Sequence, residues 1–305
     1  MIVNCYLKTA PSENKKVKTR IKNIFGLGLT SSENKAQIIR NFHQGVLACG
    51  DDSSLVENDA IKPCDVAVIQ GWISDQTHAP HLRFRADIIK RQLGGKKYIV
   101  TADASLFQYK QKKTLNNYLR YSFNGIFRDT GIYCDYNINP QRWGKISNDY
   151  DLRLDNYKYY GRSILLLLQR DGGWSMKGLS TIEWLLNTVS RIREHSDRPI
   201  IIRRHPGDKN SRNYLNDKSS FINSLRGVTI SSEGLTLEED LKNCWAVVNH
   251  NSSAIVGPII NGYHSFVTDP HSSQCSEVCN IDFNLLETPK EFNRISWLQR
   301  ISMFH

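Results

Sequence analysis

Two short stretches carry the side chains best suited to chemistry. Arg203, Arg204 and His205 follow directly on Ile200–Ile202, with Pro206 and Gly207 next. Three isoleucines behind Pro199 predict a strand buried on both faces of a parallel sheet. Cationic side chains at the carboxyl end of such a strand sit where open α/β sheets bind ligands. The second stretch repeats the plan: Trp245–Val248 predicts a strand, and Asn249, His250, Asn251, Ser252 and Ser253 follow it. These lead into Ala254–Ile260, whose spacing predicts a helix closed by Gly262. Asn and Ser are favourable N-caps, and free N–H groups with the helix dipole attract anions. Guanidinium and imidazole at one strand end, and backbone N–H groups at the next, together suit a diphosphate. The competing reading of the first stretch is a surface salt-bridge cluster.

The elements around these loops alternate. In the second half, Ser163–Leu168 predicts an unbroken apolar strand and is followed by a loop, Arg170–Gly178, that contains Gly173, Trp174, Ser175 and Lys177. Apolar residues at 182, 185, 186, 189 and 192 predict a helix over 181–195. Val228–Ser231 and Ser265–Val267 predict further strands. In the first half, strands are expected at Ile2–Leu7, Val46–Cys49, Asp65–Gln70 and Lys97–Ala102, with helices ending at Phe42 and spanning Leu82–Leu93. An irregular aromatic- and Asn-rich passage, Tyr109–Trp143, and a polar linker, Asn148–Tyr160, close that half. The pattern predicts an α/β protein of doubly wound sheets. Domains are expected at 1–150 and 151–305, in line with the length of 305 residues.

Composition bounds the class. Apolar content of 40% and charged content of 23% fit an ordinary globular protein. No apolar run approaches the roughly 20 residues of a membrane span, and the N-terminus lacks the layout of a secretory signal. Seven cysteines, with only Cys275 and Cys279 close together, predict reduced thiols in a cytoplasmic setting and no metal site. Charge is uneven. Residues 161–305 hold 16 Lys/Arg against 15 Asp/Glu, so 24 of the 40 basic residues fall in residues 1–160. Ten of them lie between Arg83 and Arg120, beside only Asp87 and Asp103. A focused basic tract implies a polyanionic partner; the alternative is a solvated helix face.

The stretches RRHPGD, NHNSSAIVGPIINGYHSFVTDP and LLETPKEFNRISWLQRIS resemble the C-terminal half of GT-B glycosyltransferases of the capsule-polysaccharide and bacteriophage DNA-modifying kind. LLLLQRDGGWSMKG resembles the loop after the first strand of that half. The resemblance covers roughly residues 160 to 305. It implies a GT-B-like fold, two Rossmann-like domains facing a central cleft. It also implies a nucleotide-sugar co-substrate, a UDP-sugar by expectation, and no other cofactor. The donor diphosphate would be held by Arg170, Gly173, Trp174, Ser175, Lys177, Arg203, Arg204, His205, Asn251, Ser252 and Ser253. GT-B chains often cross back to the first domain where this chain has its apolar stretch Ile301–His305.

The acceptor side is less constrained. A base is expected at a strand end of the first domain, with Asp103 first, Asp75 second and His81 third; Asp103 could instead cap a helix. No carboxylate pair stands at a convincing strand end, so a metal-independent reaction is expected. Arg83, Arg85, Lys90, Arg91, Lys112, Lys113 and Arg120 are the candidates for contact with double-stranded DNA. The expected activity is sugar transfer to a hydroxyl, on hydroxymethylated pyrimidines of phage-type DNA. The alternatives are transfer to a capsule or lipopolysaccharide glycan, and a non-catalytic nucleotide- or nucleic-acid-binding protein.

Overall fold

A computed structural model describes residues 1–7, 31–57, 60–74, 80–107, 118–208, 215 and 217–305. The first sheet contains β1 (Ile2–Tyr6), β2 (Asp52–Val56), β3 (Val66–Gln70), β4 (Tyr98–Ala104) and β5 (Leu119–Phe123), in the order β2-β1-β3-β4-β5. All pairings are parallel except β4 with β5. Helices α1 (Ser31–Ala48) and α2 (Pro80–Gly94) cover its two faces. The alternation of β3 explains this layering: Val66 and Val68 pack with Ile39 of α1, while Ala67 and Ile69 pack with Ile88 and Ile89 of α2.

The second sheet is wholly parallel. It contains β6 (Ser163–Leu167), β7 (Ile200–Arg203), β8 (Val228–Ile230), β9 (Cys244–Asn249) and β10 (His264–Val267), in the order β10-β9-β6-β7-β8. The strand order therefore reverses at β6, as it does in doubly wound dinucleotide folds. The unbroken apolar run of β6 has a simple cause. Ile164 and Leu166 enter one core with Trp184, Ile200, Ile202 and Phe266, and Leu165 and Leu167 enter another with Val247, Ile259 and Leu298. Both faces are dry, so no polar alternation is needed. With two Rossmann-like sheets and a cleft between them, the architecture is the expected GT-B-like one.

Two expectations are corrected. Val46–Cys49 is not a strand: α1 runs to Ala48, because Ile39, Phe42 and Val46 keep helical spacing against the first sheet. The strand follows at β2, a polar edge strand. The irregular passage contains β5, and the linker begins later than expected, since α3 (Pro140–Tyr150) occupies its first residues. At Phe304 and His305 the chain is back against the first unit. The helix Arg294–Ser302 packs beside α3, the Phe304 carbonyl accepts from Tyr121 N, and His305 Nε2 accepts from Leu106 N at 3.0 Å.

Gly262 ends the short helix Val256–Ile260 with φ +82°, and a Cβ there would drive into the Asn156 carbonyl. Gly262→Ala is therefore expected to cost about 1–3 kcal/mol. Urea denaturation checks it; an unchanged midpoint would show that the linker yields.

Candidate functional site

In a doubly wound sheet the ligand crevice opens at the carboxyl ends of the strands where the order reverses. Here that point lies between β6 and β9, so the loops after Leu167 and after Asn249 form its walls. They are tied together by polar contacts. Gln169 Oε1 accepts from Asn251 N at 2.9 Å, and Gln169 Nε2 donates to Ser175 Oγ at 3.1 Å. Asn251 Nδ2 donates to the Ser175 carbonyl at 3.2 Å and to Asp269 Oδ2 at 3.0 Å. Asn251 is buried, so its amide acts as a clip between the β6, β9 and β10 loops. Ser252 Oγ accepts from Ala254 N at 3.2 Å, the cap expected of it, and Ser253 begins the helical stretch.

A cavity of about 160 Å³ lies against this crevice, between the two units. Gln169, Ser175, Asn251, Ser252 and Ser253 line it from the second unit; Arg120, Ile126 and Phe127 line it from the first. Arg120 Nη2 donates to Asp103 Oδ2 at 3.1 Å, as the register pairing Asp103 with Arg120 across β4 and β5 dictates. A wider open hollow of about 650 Å³ lies at the opposite end of the second sheet, around Arg193, Arg198 and Glu287. Strand carboxyl ends do not reach it, and Arg193 there serves the carbonyls of Ser196, Arg198 and Arg226. The smaller cavity is the one with chemistry around it.

The loop after β7 is fastened to the crevice. Arg170 Nη2 donates to the Gly207 carbonyl at 2.8 Å, and Asp208 Oδ2 accepts from Asp171 N at 3.0 Å. His205 Nδ1 accepts from Gly207 N at 3.0 Å. Burial, and then the Arg170 charge, push the His205 imidazolium below its usual range. His205 is thus a neutral ring whose proton sits on Nε2, a ready hydrogen-bond donor. Arg203 is used within the fold: its guanidinium bonds Asp240 and the carbonyls of Thr236 and Leu235. Arg204 Nη1 donates to Glu233 at 3.1 Å. Gly173 N closes a turn on the Arg170 carbonyl, and Trp174 opens the 3-10 turn Trp174–Met176.

Lys177 bridges the two units. Its Nζ lies 3.3 Å from Asp129 Oδ2 and 2.6 Å from Ser272 Oγ, with φ +50° at its own backbone. Asp269 is 3.9 Å away. Burial alone would raise the Asp269 carboxyl, but hydrogen bonds from Asn251 and Ser272 outweigh it and hold it below the usual range. His250, beside Asp269, keeps Nδ1 at 2.8 Å from Thr268 Oγ1, and burial pushes its imidazolium down. Gln169, His250, Asp269 and Gln274 had no assigned role in the sequence. Their signal was position alone, at or just beyond strand carboxyl ends.

The first-unit candidates scatter. Arg85 is spent on the carbonyls of Gln70 and Gly71, at 2.6 and 3.0 Å, and Arg120 is only 8% exposed in the cleft. Neither lies on an open surface where a duplex could rest. Arg83, Lys90 and Arg91 are exposed on α2. His81 falls in the first turn of α2; Asp75, Lys112 and Lys113 lie outside the described residues. Among the described residues there is no group of three His, Cys, Asp or Glu placed to hold a metal, and no helix long and apolar enough to cross a membrane.

The chain matches no protein-family profile and no curated protein sequence. Among solved structures it is similar to the Thermosulfurimonas dismutans KpsC β-Kdo 2,4-transferase, with 12% identity, TM-score 0.45 and 88% of each chain covered. It is also similar to the KpsC β-Kdo 2,7-transferase of the same organism, with 11% identity, TM-score 0.46 and coverage of 99% of this chain and 89% of that one. The Methanocaldococcus jannaschii UDP-GlcNAc 2-epimerase, solved with UDP-GlcNAc and UDP, is similar over 99% of this chain and 98% of that one, with 13% identity and TM-score 0.34.

Proposed function

We propose that the protein is a glycosyltransferase that takes a sugar from a nucleotide-sugar donor, a UDP-sugar by preference, and passes it to an acceptor hydroxyl. One observation carries this reading: the β6 and β9 loops meet at the switch point and, with first-unit residues, enclose a polar cavity. The nucleotide belongs to the second unit, its diphosphate between the His205 loop and Ser252–Ser253, and the sugar in the cavity. Charge builds on the diphosphate as the glycosidic bond breaks, so fixed donors there act on the transition state. His205 Nε2–H is one such donor, and because the ring is neutral it needs no proton from solvent to serve.

For the acceptor, a glycan hydroxyl is the reading we favour. Two of the seven residues expected on DNA phosphates, Arg85 and Arg120, are committed inside the first unit. A hydroxymethylated DNA base stands second, supported by Arg83, Lys90 and Arg91 along one helix. The experiment is a transfer assay with UDP-sugars against oligosaccharide and hydroxymethylcytosine-DNA acceptors, paired with calorimetric binding of UDP. Sugar incorporation into a glycan is expected. Incorporation into DNA alone would favour the second reading, and failure of UDP and other nucleoside diphosphates to bind would overturn the donor assignment.

A further inference from the structure

We infer that Arg120 is an oxyanion anchor contributed by the first unit, which grips a carboxylate or phosphate oxygen of the ligand in the cleft. The inference deepens the donor-site reading above, since it concerns the wall facing the donor loops.

Strand β5 gives the first argument. Its burial alternates so that Arg120 and Ser122 are the buried positions, while Leu119, Tyr121 and Phe123 are only partly covered. A strand that served packing alone would reverse this, because burying a charge is costly unless it is paired and bonded. Polar residues placed inward against the sheet's own interest mark a functional surface.

The guanidinium gives the second. Five N–H groups radiate from it in a fixed fork. Asp103 Oδ2 takes one, and Nε is buried with no hydrogen-bond partner among the described residues. Asp103 supplies a balancing charge and fixes the orientation, yet the fork is incompletely used. A planar guanidinium with spare donors is matched best by an oxyanion with two acceptor oxygens.

The cavity gives the third. Among the described residues that line it, Arg120 is the one charged side chain; the others are apolar, hydroxyl or amide groups, including Ser253 and Gln274. A cavity with one cation and otherwise neutral lining selects a ligand with an anionic group at that point. Carboxylate on the transferred sugar and phosphate on the donor share this chemistry. Arg120 thereby moves from the DNA-contact set to the substrate cleft.

The test is calorimetric titration of the full chain with inorganic pyrophosphate and glucuronate, with glucose as neutral control, and with UDP, UDP-glucose and UDP-glucuronate alongside. Arg120→Gln should weaken anion binding roughly tenfold or more, as loss of a hydrogen bond to a charged group does; Arg120→Lys should restore part of it. Arg120→Lys keeps a cation opposite Asp103, so it should melt as the wild type does and still bind the same anions more weakly than wild type; a folding defect of Arg120→Gln therefore does not blunt the test. Loss shared by pyrophosphate, UDP and UDP-glucose identifies the diphosphate as the source; loss confined to glucuronate and UDP-glucuronate identifies a sugar acid. Anion affinities equal in wild type and both variants, or no anion binding at all, overturn the anchor. Unchanged UDP affinity in that case leaves the donor reading standing. Arg120-dependent anion binding without any UDP affinity would remove the donor reading and keep the anchor.

Discussion

Acidification from pH 7 to pH 4 should cost the protein about 3 kcal/mol of stability or more, beginning well before its carboxylates titrate. The main source is His305. Burial pushes its imidazolium down to about 3, from the ordinary 6.5. Its Nε2 accepts from Leu106 N and its Nδ1 lies 2.7 Å from the Ile301 carbonyl, so the folded ring is neutral with its proton on Nδ1. Above pH 6.5 neither the folded nor the unfolded ring is charged, and the arrangement is unopposed. Below that value the unfolded chain takes up a proton that the folded one refuses, and stability falls by about 1.4 kcal/mol per pH unit until about pH 3. His205, His250 and His264 are also lowered by burial and add with the same sign. Urea denaturation at pH 7, 6, 5 and 4 reads this directly. His305→Gln should be less stable at pH 7 but show a slope shallower by one proton. A wild-type stability that stays flat from pH 7 to pH 5 would contradict the buried neutral ring.

Removing the His205 ring should reduce kcat/KM by about a hundredfold to a thousandfold, or about 2.7–4 kcal/mol of transition-state stabilisation, as loss of a single fixed donor does elsewhere. Folding should be little affected, because the ring's bond is to Gly207 N in its own loop. The pH profile carries a sharper expectation. A ring pushed toward neutrality by burial and by Arg170 should hold its activity to lower pH than an ordinary histidine would allow. Near-normal turnover in a well-folded His205→Ala protein would remove the β7 loop from the donor site.

The second sheet was legible in the sequence because its strands are buried on both faces. Ile200–Ile202, Ile164–Leu167 and Ala246–Val248 read as apolar without interruption. The strands that escaped were those at edges. β2 shows Asp and Ser to solvent, and β5 hides its polar residues inward. Loops at strand ends could be found, since punctuation by Pro, Gly, Asn and Ser marks them. What each side chain does there could not. Arg203 and Arg204 look equivalent in sequence, yet Arg203 is bound by a carboxylate and two carbonyls some thirty residues on. Arg120 and Asp103 meet only because β5 runs antiparallel to β4, a pairing that no local spacing announces.

The return of the chain to the first unit bears on how the protein is made. Strand β5 is the outer strand of the first sheet, and the Phe304 carbonyl takes the Tyr121 N–H. The Leu106 amide waits for a ring 199 positions later. On the ribosome, the first unit therefore emerges with one margin unfinished, while the whole second unit is still being translated. An unsatisfied outer strand invites pairing with other chains. Translation arrested before residue 304 should leave a nascent chain that recruits chaperones and aggregates on release, and synthesis through residue 305 should relieve both.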